Sequence, residues 1–246
     1  MFVIALFEMH EKVRVTHVLF DLDGLLINSE QIYTDQLSKF LSRHGREYTY
    51  RVKRLMMGRK PLEAADIMRK EYNLPMTPSE VLEDYKKELP LEIWHTATLM
   101  PGVQRLIEHL KQNSIPMAVA SGSTSQQVPH KMWNHRDVWQ HINHVVAAGD
   151  DPEVLRGKPA PDVFQVALKR FNDPSAREES TLVFEDAWNG VQAGLAAGMF
   201  VVWVPEAFEG PGFPADAKLA EEERARVIRL NSLEEFDPSH FGLPPY

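Results

Sequence analysis

Two aspartates stand one residue apart in "HVLFDLDGLLINSE", residues 17–30. Asp21 ends the apolar run Val18, Leu19, Phe20, and Asp23 follows after a single leucine. Like charges this close repel unless something cationic shares their site. Further along, Ser121 opens "SGSTS", Lys158 lies in "GKPAPD", and Glu185 and Asp186 close "TLVFED". Two acids from one place and two from another suit a magnesium ion, Mg²⁺. It takes hard oxygen ligands, commonly one or two carboxylates plus waters and a substrate phosphate. Ser121 and the backbone N–H groups of its loop can cradle phosphate oxygens at a helix N-terminus. Lys158 adds a positive charge able to reach both a phosphate and a carboxylate. The set matches phosphoryl transfer, where catalysis is mostly positioning and charge neutralisation. One carboxylate can act as nucleophile and form an aspartyl-phosphate. The other, offset by two residues, can protonate a leaving alkoxide and then deprotonate the attacking water.

These residues matter together only if the chain brings them to one edge. Four later apolar runs resemble the first: "PMAVAS" (116–121), "HVVAAG" (144–149), "TLVFED" (181–186) and "MFVVWV" (199–204). Each is short, β-branched or aromatic, and lacks strict alternation, as strands buried on both faces do. Helical stretches lie between them. "GVQRLIEHLKQN" carries an apolar stripe at Val103, Leu106, Ile107 and Leu110, "PDVFQVALKRF" starts after a proline, and "NGVQAGLAAG" ends at Gly198. Strand alternating with helix predicts an α/β fold with a doubly wound parallel sheet. In such sheets ligands bind at the carboxyl ends of the strands, which is where Asp21, Asp23, Ser121, Glu185 and Asp186 fall. Residues 30–99 break the rhythm with four helical stretches and no convincing strand, so an all-helical cap is expected there. The core then comprises 14–29 and 100–246, with 1–13 an extension or extra strand. "ARVIRL" is expected to add a last strand and "SLEEF" a short helix. The segment from His130 to His144 reads as surface loop and helix.

Composition narrows the function classes. The chain has 246 residues, 27 Lys plus Arg against 35 Asp plus Glu, and a net charge of −8. It therefore has no global attraction for nucleic acid or anionic membrane, and an anionic substrate must be held by a local cluster of donors. The absence of cysteine excludes disulfides, zinc–thiolate sites and a thiol nucleophile. No window approaches the roughly 18 apolar residues of a membrane span, and residues 1–14 lack the basic start and cleavage site of a signal peptide. A cytoplasmic monomer acting on a small phosphorylated metabolite is the expectation.

"FDLDGLL", Ser121, "GKPAPD" and "FEDAWNGVQAGLAAGM" resemble the four motifs of the haloacid dehalogenase-like (HAD) hydrolase superfamily, in that superfamily's order. The helical insertion is similar to its C1-type cap. Within the superfamily, "MGRKPLEAA", "GDDPEV" and the tail "NSLEEFDPSHFGLPPY" resemble the eukaryotic pseudouridine-5′-phosphatase group. The resemblance implies a nucleophile and metal ligand at Asp21, and an acid/base at Asp23 whose backbone carbonyl meets the metal. It implies that Asp186 completes the metal site with Glu185 beside it, and that Ser121 and Lys158 hold the transferring phosphoryl group. Pseudouridine 5′-phosphate is the implied substrate. Asn28 stands where the family usually has Asp, which removes a charge but keeps an acceptor. Gly122 stands where relatives often carry Ser or Asn, which leaves only its N–H as a phosphate donor. Arg59 and Lys60 are either exposed charges or cap residues that meet the substrate, with Glu63 as a third candidate. Two rival readings stay open: a sugar-phosphate phosphatase or β-phosphoglucomutase-like mutase on the same core, and a binding protein that kept the fold without the chemistry.

Overall fold

The computed structural model describes residues 14–56, 61–205 and 219–246. The N-terminal segment 1–13, Arg59 and Lys60 lie outside the described residues. Six strands form one parallel sheet in the order β3-β2-β1-β4-β5-β6. They are β1 (His17–Phe20), β2 (Met117–Ser121), β3 (His144–Ala147), β4 (Thr181–Glu185), β5 (Phe200–Trp203) and β6 (Val227–Arg229). The chain builds outward from β1 in one direction and then crosses to the other side at β4, so the winding reverses around β1. That reversal opens a crevice at the carboxyl edge.

Every residue of β1, β2 and β4 is buried. Their neighbours in the sheet take up the backbone hydrogen bonds, and both faces are covered, which is why these strands read as unbroken apolar runs. Register sets the chemistry at the edge. Phe20 pairs with Phe184 in β4 and with Val119 in β2, and the rings of Phe20 and Phe184 stack at 5.0 Å. The next residue of each strand is then Asp21, Glu185 or Ala120, side by side.

The helices that follow the strands are α5 (Val103–Gln112), α6 (Val128–Lys131), α7 (Arg136–Trp139), α8 (Asp162–Lys169), α9 (Trp188–Ala196) and α10 (Glu221–Arg224). "SLEEF" forms a single 3₁₀ turn, Leu233–Glu235. Gly194 lets α9 pack closely on the sheet: a Cβ there would come within 2.8 Å of a Val201 methyl.

Ser29–Ala97 form a second compact unit. It contains α1 (Ser29–Arg43), α2 (Tyr50–Met56), α3 (Pro61–Glu71) and α4 (Pro78–Lys86), followed by a 3₁₀ helix, Leu91–Thr96. Its own core includes Leu37, Phe40, Leu41, Val52, Met68 and Val81. In "TPSE" the Thr77 hydroxyl accepts the Glu80 N–H, the Glu80 carboxylate accepts the Thr77 N–H, and proline stands at the first helical position of α4. The sheet-bearing unit closes where the helical one leaves it. Asn28 N–H donates to the Thr98 carbonyl at 2.9 Å, and Ile27 bridges Leu99 antiparallel.

Candidate active site

Asp21 is the first residue beyond β1. Its backbone N–H still donates to the Phe184 carbonyl, and its side chain is 9% exposed. Gly24 then turns the chain with φ +80, a conformation that glycine reaches without strain, and its N–H donates to the Ile27 carbonyl. The tight turn holds Asp23 at the same rim.

Lys158 reaches in from the loop after β3. Its Nζ donates to Asp21 Oδ1 at 2.5 Å, to Glu185 Oε1 at 2.5 Å and to the Ala120 carbonyl at 3.1 Å. It also lies 4.9 Å from the centre of the buried Phe164 ring. One ammonium thus spans the ends of β1, β2 and β4. Burial opposes its charge, but Asp21 and Glu185 outweigh burial and hold its pKa above the ordinary lysine value. The Asp21 carboxyl is pushed up to about 7, chiefly by burial, with Glu185 and Asp23 adding to the rise and Lys158 opposing it.

Glu185 is 1% exposed. Its second oxygen accepts the Ala187 N–H at 3.0 Å. The carboxyl lies against the backbone of α9 at Gly190, where a Cβ would stand 1.7 Å from Oε1. Asp186, half-buried, follows at the end of β4, and its carbonyl accepts the Trp203 indole N–H at 2.8 Å.

Ser121 is fully buried at the end of β2. Its hydroxyl accepts the Ser123 N–H at 3.1 Å and comes within 3.4 Å of Asp23 Oδ2. The expected helix N-terminus is not at this loop. Ser121 makes a local side-chain turn, and α6 begins only at Val128 and is a single turn long. The exposed Gly122 has open space where a side chain would stand. Asp150 accepts the Ser125 N–H and hydroxyl, and Asp151 pairs with Arg170, as turn residues do.

Lys131 and Ser123, neither of them a candidate from the sequence, belong to this cluster. Lys131, in the segment expected at the surface, has a side chain 1% exposed. Its Nζ donates to Asp23 Oδ1 at 2.6 Å and to the Ser123 hydroxyl at 2.8 Å, while the Ser123 hydroxyl donates to Asp23 Oδ2 at 2.9 Å. Trp139, in the same segment, is also buried. Nothing local in "VPHKMW" marks Lys131 as buried. Glu63 lies exposed in the first turn of α3.

The donor set fits a hard divalent cation. Three carboxylic acids, Asp21, Asp23 and Glu185, meet two ammonium groups, Lys131 and Lys158, and Asp186 follows Glu185 directly in the chain. Among the described residues no three His, Cys, Asp or Glu side chains form a ready-made metal cage. Magnesium needs none, because waters and a substrate phosphate fill much of its shell. A parallel sheet with Asp21, Asp23 and the bridging Lys158 at its switch point carries the groups that phosphoryl transfer needs.

The comparisons fix the family. Residues 18–204 match the model of the haloacid dehalogenase-like hydrolase family, and the chain belongs to that family. It is 39% identical to (DL)-glycerol-3-phosphatase 2 of Arabidopsis thaliana over 235 residues, covering 94% of this chain and 93% of that one. It is 38% identical to a probable pseudouridine-5′-phosphatase of Drosophila melanogaster over 234 residues, covering 95% and 96%. Among solved structures, a HAD family hydrolase from Deinococcus radiodurans with bound phosphate and sodium superposes with TM-score 0.72 at 23% identity, covering 96% of this chain and all of that one. The protein is a phosphoric monoester hydrolase of the HAD type. No helix among the described residues is long and apolar enough to cross a membrane.

Proposed function

We propose that the chain is a magnesium-dependent phosphatase that transfers the phosphoryl group of a small primary-alcohol monoester to Asp21 and then to water. The observation that carries this reading is the bridge from Lys158 to Asp21 and Glu185 at the carboxyl edge. Lys158 holds Asp21 Oδ1, which leaves Oδ2 to attack phosphorus. The bond from phosphorus to the ester oxygen breaks as the bond to Oδ2 forms, and Asp23 gives its proton to the departing alkoxide. Asp23, now a carboxylate, takes a proton from water, and the resulting hydroxide displaces phosphate from Asp21. Ser121 and the N–H of Gly122 are the groups of this loop that would hold phosphoryl oxygens.

Asp21, the Asp23 carbonyl and Asp186, with Glu185 beside them, are the groups that would hold the metal. When bound, Mg²⁺ supplies positive charge to the acids and to the phosphoryl oxygens.

Pseudouridine 5′-phosphate is the proposed substrate. The C-terminal tail and "GDDPEV" resemble the group that bears that name, and the Drosophila relative carries the same name over nearly its whole length. Glycerol 3-phosphate is the second reading, on the equally similar Arabidopsis relative. Both are primary-alkyl phosphates, so the chemistry at Asp21 and Asp23 is common to them. The test is phosphate release from both compounds, FMN and sugar phosphates with Mg²⁺, together with analysis of the organic product. Free phosphate with the dephosphorylated alcohol is the expected result. An isomerised sugar phosphate without free phosphate would overturn the reading in favour of a mutase, and no product from any compound would favour a binding protein.

A further inference from the structure

The geometry points to Lys131 as a positioning residue for Asp23, acting with Ser123 to fix the acid/base carboxylate at the reacting edge. The inference rests on the proton-transfer role proposed above for Asp23.

A lysine side chain 1% exposed is rare, because burying an ammonium is costly unless it is paired and hydrogen-bonded. Lys131 meets that condition through Asp23 Oδ1 at 2.6 Å and the Ser123 hydroxyl at 2.8 Å. Ser123 closes the ring by donating to Asp23 Oδ2 at 2.9 Å. Both oxygens of Asp23 are therefore held by different donors, and the plane of the carboxylate is set. Lys158 does not do this work. Its Nζ donates to Asp21, Glu185 and the Ala120 carbonyl. The two lysines divide the pair of aspartates between them: one serves the attacking carboxylate and the other the proton carrier. A general acid must lie within hydrogen-bond reach of the leaving oxygen, and a displacement of about 1 Å can cost about 100-fold in rate. Two residues distant from Asp23 in the chain, Ser123 and Lys131, remove that freedom before substrate arrives.

The role has a signature that loss of packing would not give. Protonation of the leaving group matters for an alkyl phosphate and hardly at all for p-nitrophenyl phosphate, whose phenolate leaves unaided. The value of kcat/KM reports the step in which Asp21 is phosphorylated, before water attacks. Lys131→Met keeps the length and fills the buried space. It is expected to lower kcat/KM for glycerol 3-phosphate or pseudouridine 5′-phosphate, whichever the wild type turns over, about 10- to 100-fold more than for p-nitrophenyl phosphate. KM should change little. Ser123→Ala should move the same ratio in the same direction by less, and serves if Lys131→Met does not fold. In a crystal structure of either variant the Asp23 carboxylate should be rotated or disordered. Equal losses on both substrates, or no loss, would overturn the inference. Asp23→Asn separates it from the reading beneath. If Asp23→Asn shows the leaving-group dependence and the Lys131 and Ser123 variants do not, only the positioning role falls. If Asp23→Asn shows none, the acid role falls and the inference with it.

Discussion

Asp21 and Lys158 lie 137 residues apart in the chain and 2.5 Å apart at the edge of the sheet. The lysine also meets Glu185, so one ammonium serves two carboxylates that are almost wholly buried. This relationship ties the stability of the edge to its chemistry, and the first two predictions test each side of it.

Asp21→Asn should abolish phosphate release, lowering kcat by about 10⁴-fold or more, since an amide is a poor nucleophile. The protein should stay folded, because the amide oxygen can still accept from Lys158. A steady-state phosphate assay alongside circular dichroism checks both statements.

Lys158→Met removes the shared cation and leaves two buried acids facing each other. Breaking such a buried pair typically costs about 3–5 kcal/mol, so the urea midpoint should fall sharply. Adding Glu185→Gln should return part of that loss by removing one of the unpaired charges. A double-mutant cycle in urea gives the coupling directly; strictly additive losses would contradict the bridge.

Gly190→Ala inverts a common rule. Replacing a helical glycine with alanine usually stabilises by about 0.5–1 kcal/mol. Here the new methyl would stand 1.7 Å from Glu185 Oε1. The variant should instead be destabilised by about 1–3 kcal/mol, as overpacked sites are, and should lose activity because Glu185 is displaced from Lys158. Thermal unfolding decides the sign.

Two histidines away from the site make stability depend on pH. Burial lowers the pKa of His17, with Asp173 opposing. Burial also lowers that of His144, with Arg170 adding and the Ala167 carbonyl opposing. Each therefore folds as the neutral ring. Below the unfolded value of about 6.5 the unfolded chain binds more protons than the folded one, so stability is full above that pH and is lost as pH falls through it. The urea midpoint should decline from about pH 7 to about pH 5.5, and the decline should be shallower in the His17→Asn, His144→Asn double variant.

Chelation should remove turnover and Mg²⁺ should restore it. Calcium should restore it poorly, because Ca²⁺ takes 6–8 oxygen ligands and the edge presents few. Phosphate release after EDTA treatment, with each cation added back, is the measurement.

Much of this was legible in the residues alone. A strand covered on both faces must be apolar almost throughout, so β1, β2 and β4 read as short runs, and the polar residue that closes each run falls at the edge where ligands bind. Asp21, Ser121 and Glu185 stand at those ends with Asp23 and Asp186 just beyond, and Lys158 comes from the loop after β3. The helical segment expected over 30–99 forms a compact unit over Ser29–Ala97, and the returning chain, Thr98–Leu99, pairs with Ile27–Asn28. That pairing has no local signal.

The sequence by itself determined the order of strands and helices and the kind of chemistry at the strand ends, because periodicity and side-chain type are local properties. Tertiary structure alone decided which groups touch. Lys131 on a one-turn helix reads as solvated, and it is buried only because closing the sheet brings it to Asp23, 108 residues away. Spacing and resemblance give Asp21 and Asp23 different expected roles, but only tertiary structure sets their surroundings, with register placing one beside Lys158 and Glu185 and a tight turn placing the other beside Ser123 and Lys131.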